Sequence, residues 1–308
     1  MREENEGHGL RDMPDSRRVQ KTRGDLGVKE GDDVEGVFSS DNLKTAAEGY
    51  PTGSWAGKPE RQYGAKTGAD IKRPVLTYGF DSDADVKAYG YIQHVAKSTF
   101  FVRSPGKKES LKVDLALPGR HNALNALAAI ALAMDENVPN RDIVNGLASF
   151  QGVERRFEMH GTFSLGEGTV LLIDDYGHHP TEVKETIKAV RDGWSESRLV
   201  MVYQPHRYTR TFELFDQFIE VLSEVDYLIL VDVYPAGETC ISGATSEDLY
   251  DKLNQRIQVD LVSEMKDVFD HLEDVLRAGD LLLTQGAGAT AQLAAELKMN
   301  WAERRVTA

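Results

Sequence analysis

Short apolar runs recur in the second half of the chain, and each stops at a cluster of polar residues. Val170-Leu171-Leu172-Ile173 ends in Asp174-Asp175-Tyr176-Gly177-His178-His179-Pro180, and Leu199-Val200-Met201-Val202-Tyr203 ends in Gln204-Pro205-His206-Arg207. Leu281-Leu282-Leu283-Thr284 ends in Gln285-Gly286-Ala287-Gly288. Unbroken runs of this length and composition suit strands buried on both faces. Further strands are predicted at 227–233 and 259–262. Between the runs, Val183, Ile187 and Val190 share one helical face, and Phe215, Phe218, Ile219 and Leu222 fall at i, i+3, i+4 and i+7. Additional helices are predicted near 246–255, 268–277 and 289–298. This alternation implies right-handed crossovers and a doubly wound, mostly parallel, Rossmann-like α/β sheet over 154–308.

The preceding stretch has a different texture. Over 74–153, strand-like runs at 74–78, 86–92, 98–103 and 111–117 predict a small, mostly antiparallel sheet, followed by helices at 123–134 and 140–150. The first helix is apolar on nearly every side, so this partial unit is expected to present a sticky face and to self-associate. Residues 1–73 hold only nine Leu, Ile, Val or Phe against eleven Gly, without periodicity, which predicts a disordered or unrelated extension. Its loop from Gly53 to Pro59 lacks the G-x-x-x-x-G-K-[ST] spacing of a phosphate loop.

Charge and composition narrow the function. In 308 residues, 36 basic against 50 acidic side chains leave a net charge of −14, which argues against nucleic-acid or anionic-membrane partners. The single Cys240 excludes an intramolecular disulfide, and no apolar run approaches the length of a signal peptide or membrane span, so a soluble cytoplasmic protein is expected.

The chemistry is expected at the carboxyl ends of the strands, where open parallel sheets bind ligands. Asp175, Tyr176 and His178 stand where a strand gives way to a helix, and a carboxylate beside an imidazole suits a ribose, an amine or a proton in transit. The alternative is that they cap the helix. Adjacent His178 and His179 lack metal-ligand spacing, and no metal site is predicted. Arg207 and Arg210, at the start of a helix, suit a carboxylate or phosphate, or else pair with Glu213 and Asp216. Of Arg155 and Arg156, one could reach a ligand across a cleft or form a hinge salt bridge. His121, Asn122 and Asn125 open a helix as a purine reader or as caps. Gly286-Ala287-Gly288 is a weak candidate for an anion-accepting turn.

Six blocks in order resemble the Mur ligase family, in its alanine-adding branch: Gly119 to Asn125, Gly152 to Phe157, Asp174 to Glu182, Gln204 to Thr211, Val233 to Glu238 and Gln285 to Gly288. The resemblance covers about Arg73 to Lys298. It implies a partial central ATPase domain at 74–153 and a C-terminal amino-acid-binding domain at 154–308. The implied reaction is ATP-dependent ligation of L-alanine to UDP-N-acetylmuramate through an acyl phosphate, with ATP and Mg²⁺ as cofactors, in peptidoglycan synthesis. Carried over by motif, His121, Asn122 and Asn125 would hold adenine, Asp175 the ribose and Arg156 the phosphates. Tyr176, His178, Arg207 and Arg210 would line the alanine and acyl-phosphate region, with His178 and the two arginines catalytic. The family's N-terminal UDP-binding domain and phosphate loop have no counterpart here, so the chain alone is expected to be an inactive, truncated form. The alternative is a non-catalytic remnant that binds nucleotide or amino acid weakly.

Overall fold

The computed structural model describes residues 54–57 and 75–304, apart from 82, 108, 166 and 167. A first sheet holds β1 (Ser54–Gly57), β2 (Val75–Gly79), β3 (Val86–His94), β4 (Lys97–Arg103) and β5 (Leu111–Leu115), side by side in that order. β1–β2 and β2–β3 pair parallel, whereas β3–β4 and β4–β5 pair antiparallel. Among the four strands read from the sequence, two of the three pairings are antiparallel, as expected; the parallel pairings of β2 are not legible because alternation along a strand reveals its faces but not the sense of its neighbour. β1 also lies within the stretch read as unpatterned, since four residues are too few to show a period. The rest of the expectation for 1–73 lies outside the described residues.

Two helices follow, α1 (Arg120–Asp135) and α2 (Asn140–Ser149). α1 buries Ala123, Ala126, Leu127, Ile130 and Ala131 in one core with Tyr78, Phe100 and Val113. The sheet therefore covers its inner face, and of its large apolar side chains only Leu132 is exposed.

The second sheet has the order β10-β9-β8-β11-β7-β6, with β6 (Glu158–Leu165), β7 (Gly168–Asp175), β8 (Leu199–Tyr203), β9 (Tyr227–Val231), β10 (Gln258–Val262) and β11 (Leu281–Gln285). All pairings are parallel except that of the edge strand β6 with β7. The helices are α3 (Pro180–Gly193), α4 (Tyr208–Glu213), α5 (Phe215–Leu222), α6 (Ser246–Leu253), α7 (Val268–Val275) and α8 (Thr290–Arg304). Successive strand residues point to opposite faces, which divides the core. Ile173, Met201, Leu228 and Leu283 pack with Val183 and Ile187 of α3, Phe218 and Leu222 of α5 and Leu249 of α6. Leu172, Val202, Ile229 and Leu282 pack with Leu272 of α7 and Leu293, Leu297 and Trp301 of α8. Neighbouring strands β7 and β11 thus send their chains to opposite faces, which opens a crevice beyond their carboxyl ends. Among the described residues, no helix is long and apolar enough to cross a membrane.

Candidate functional site

The loops after β7, β8 and β11 converge because three glycines leave room. A Cβ on Gly177 would lie 2.6 Å from both Asp175 Oδ1 and Gln285 Nε2, and one on Gly288 would lie 2.2 Å from Gln204 Oε1. Gly286 (φ +146°) likewise passes against the Gln204 carbonyl. Gln204 Oε1 accepts the N–H of Ala289 at 2.8 Å just before α8 begins. The glycines of the Gly286-Ala287-Gly288 turn therefore allow close packing between strand ends.

The two carboxylates at the end of β7 organise this floor. Asp174 is fully buried and accepts from Arg155 Nε at 2.9 Å and Thr284 Oγ1 at 2.7 Å. Arg155 Nη2 also donates to the Gly286 carbonyl and Thr290 Oγ1, at 2.7 and 2.9 Å. Asp175 accepts the N–H groups of Phe157 and Gly177 and the amide of Gln285. Burial raises the Asp175 carboxyl above its usual range, while those two backbone N–H groups and the Arg156 charge work the other way.

The adjacent arginines meet different carboxylates. Arg155, in a left-handed conformation (φ +60°), is the structural ion pair. Arg156 lies 3.8 Å from Glu182 Oε1 and 5.6 Å from the Tyr176 ring centroid, and its side chain is 30% exposed. Spacing alone did not distinguish them.

His179 caps α3, Pro180 occupies its first turn, and Glu182 completes a capping box, so capping and site-building coexist here. Glu182 Oε2 accepts the N–H groups of His178 and His179, at 3.0 and 3.1 Å. Burial would raise the Glu182 carboxyl, but His178, these N–H groups and Arg156 together hold it below its ordinary range. Glu182 is a site residue that the motif reading passed over; its signal is an acid three positions after the cap.

Above this floor a row of rings links the strands. Tyr176 meets His178 edge-on at 5.2 Å, His178 lies 5.4 Å from His206, and His206 stacks on Tyr234 at 5.6 Å. His178 Nδ1 lies 3.3 Å from the Tyr176 carbonyl, and Arg210 Nη1 lies 3.3 Å from His206 Nδ1. Neither Arg207 nor Arg210 makes an ion pair among the described residues, so the expected alternative of partners at Glu213 and Asp216 does not form. Arg207 Nε is buried without a hydrogen-bond partner. The helix N-terminus adds little to their field: α4 has six residues, and Glu238 already takes the Thr209 N–H.

The helix opening α1 approaches from the first unit. Gln93 bridges the units, its Oε1 accepting the Gly119 N–H and its Nε2 donating to the Ala189 carbonyl. His121 Nδ1 is buried without a hydrogen-bond partner, 3.8 Å from Glu185 Oε2. Asn122 donates to the Pro118 carbonyl, and Asn125 is exposed. Burial first, then the Arg156 charge, push the His121 imidazole from 6.5 down to about 4, with Glu182 opposing. The ring is therefore neutral at pH 7, and its contact with Glu185 is not an ion pair. In the unfolded chain it takes up a proton below pH 6.5, which the native chain refuses until about 4. Stability is thus expected to fall as pH drops through that window. Urea melts at pH 7 and 5 should show the loss, reduced in His121→Gln; an equal pH dependence in both would contradict it.

Comparison with known proteins reports on the same regions. Residues 155–288 match the family model "Mur ligase, glutamate ligase domain", and 55–133 match "Mur ligase middle domain". The chain is similar to the UDP-N-acetylmuramate-alanine ligase of Thermotoga maritima, at 25% identity and a TM-score of 0.59 over 75% of this chain and 48% of that one. It is similar in fold to a murein peptide ligase of Psychrobacter arcticus, at 20% identity and a TM-score of 0.58 over 84% of this chain and 54% of that one. A third likeness is the MurF ligase of Thermotoga maritima, solved with ADP, at 16% identity and a TM-score of 0.57 over 86% and 56%. This chain spans about half the length of these structures.

Proposed function

The chain belongs to the Mur ligase family, and from that membership we propose that it provides the amino-acid side of an ATP-dependent ligase joining L-alanine to UDP-N-acetylmuramate in peptidoglycan synthesis. The observation that carries this reading is the pair Arg207 and Arg210, without an ion-pair partner among the described residues, at a strand end where Arg210 meets His206 and His206 packs near His178. Two guanidiniums suit a carboxylate or an acyl phosphate, and fixed positive charge stabilises the anion that forms when an amine attacks it. The Gln204 to Thr211 block favours the alanine-adding branch over its muropeptide-recycling relative. The division at 74–153 and 154–308 is retained as part of the proposal, with the first sheet reaching back to Ser54.

The residues fit a nucleotide in part. His121, with a buried unpartnered Nδ1, and exposed Asn125 offer polar atoms for adenine. Asp175 spends three acceptor positions on its own chain, leaving about one of roughly four for a ribose hydroxyl. ATP, when bound, supplies the phosphoryl group that activates the carboxylate, and Arg156 would face its phosphates. Mg²⁺ would accompany the ATP phosphates, as the family resemblance implies. Arg207 and Arg210 would orient the anion. If His178 donates Nδ1–H to the Tyr176 carbonyl, Nε2 is the ring atom that would take a proton from the incoming amine.

The sequence carries no G-x-x-x-x-G-K-[ST] loop, so turnover is proposed to need residues from outside these 308. A coupled assay of ADP release, with UDP-N-acetylmuramate, L-alanine, ATP and Mg²⁺, should give no rate with this chain alone. Calorimetry should show it binding L-alanine in preference to D-alanine and glutamate. ADP release by the pure chain would refute the half-site account, and a preference for another amino acid would move the chain to another branch.

A further inference from the structure

The Val233 to Glu238 block enters the resemblance without a role, yet it grips the arginine segment at several points. Glu238 Oε2 accepts the Thr209 N–H at 3.0 Å, and its Oε1 accepts the Thr209 hydroxyl at 2.7 Å. The Arg207 N–H donates to the Tyr234 carbonyl at 2.9 Å, the Tyr234 N–H donates to the Pro205 carbonyl at 2.8 Å, and the His206 and Tyr234 rings lie within 9° of parallel. Between these ties Arg207 is held at φ +70°, a left-handed conformation that a bulky side chain adopts only when its surroundings impose it. Ala236 and Gly237 are left-handed too, at +48° and +85°, so the loop bends sharply to bring Glu238 back to the first turn of α4.

We propose that Glu238 is a positioning residue: by fixing Thr209 it holds Arg207 in its left-handed conformation and aims the Arg207 and Arg210 guanidiniums at the bound anion. This rests on the reading of those arginines as the anion site. A carboxylate so close to a cationic site would, by charge alone, weaken anion binding. Here both of its oxygens are engaged by Thr209, and it makes no ion pair with Arg207 among the described residues. Partial burial works against ionisation, but the Thr209 N–H and hydroxyl and the Arg207 charge outweigh it and hold the carboxyl below its usual range.

Charge and geometry predict opposite signs, which makes the proposal testable. Removing Glu238 deletes a nearby negative charge, which favours an anion, and deletes the brace, which disfavours it. The full chain is titrated with inorganic phosphate at low salt, followed by calorimetry. Glu238→Ala is expected to bind phosphate roughly fivefold or more weakly than the unmodified chain, in spite of its gain in net positive charge. Glu238→Gln keeps an acceptor for the Thr209 N–H and a donor for its hydroxyl, so it should bind at least as tightly as the unmodified chain. Thr209→Val, which keeps the charge and loses the hydroxyl bond, should bind more weakly and serves if Glu238→Ala fails to fold. A merely structural role would lower the melting temperature of these variants and leave affinity unchanged. Equal or tighter binding by Glu238→Ala, or equal weakening in Glu238→Ala and Glu238→Gln, overturns the positioning role. If Arg207→Ala leaves phosphate affinity unchanged, it is the anion-site reading that fails, whatever the Glu238 variants show.

Discussion

Arg155→Ala is expected to cost about 3–5 kcal/mol of stability in urea denaturation, because it leaves a fully buried Asp174 carboxylate without its counter-charge. The guanidinium ties three parts of the chain at once: the end of β7, the Gly286 carbonyl beyond β11 and Thr290 at the start of α8. Among the described side chains, Thr284 would then be left as the donor to Asp174. Lysine cannot reproduce a fork that meets three acceptors, so Arg155→Lys should recover only part of the loss. Arg156→Ala removes a side chain that is 30% exposed and only 3.8 Å from its partner carboxylate, and should change stability by about 1 kcal/mol or less. Equal losses at the two positions would contradict the division of labour between them.

The double replacement of Arg207 and Arg210 by alanine should weaken phosphate and L-alanine binding by roughly one hundredfold or more, since each guanidinium contributes charge-assisted hydrogen bonds of about 1.5–3 kcal/mol. Stability should barely change, because neither side chain makes an ion pair among the described residues. Arg210 does donate toward His206, so its loss also frees the His206 ring, and the single variants need not contribute equally. The salt dependence of binding should flatten together with the affinity. Affinity that survives both replacements would place the anion elsewhere in the crevice.

The sequence pattern revealed the buried strands and two of the four edges, β5 and β10, but neither β1 nor β6. Leu199–Tyr203 and Leu281–Gln285 are buried at every position, which leaves an unbroken apolar run to read. β6 carries no such signal: Phe163 is buried, Met159 is exposed, and an irregular register between Met159 and Gly161 breaks the alternation. At the site, the clusters after β7 and β8 were legible because many polar groups follow an apolar run. What each polar group does depends on the partner it meets across the fold. Arg155 and Arg156 are adjacent and chemically identical, and only the position of Asp174 and Glu182 separates their roles. Glu238 was legible as part of a block, but its partner Thr209 lies 29 residues away.

β11 pairs with β7 on one side and β8 on the other, over five residues each. β7 and β8 therefore never touch in the sheet, although they follow one another along the chain. While the protein is being synthesised, both can be complete and still have no bond between them until Leu281–Gln285 leaves the ribosome. At roughly 5–20 residues per second, that is an interval of several seconds in which two apolar strands wait with unpaired edges. The crevice, whose floor includes Gln285 and Gly286, comes into being only when that late strand slides between them. A nascent chain stalled short of it would carry most of the site residues and none of the site.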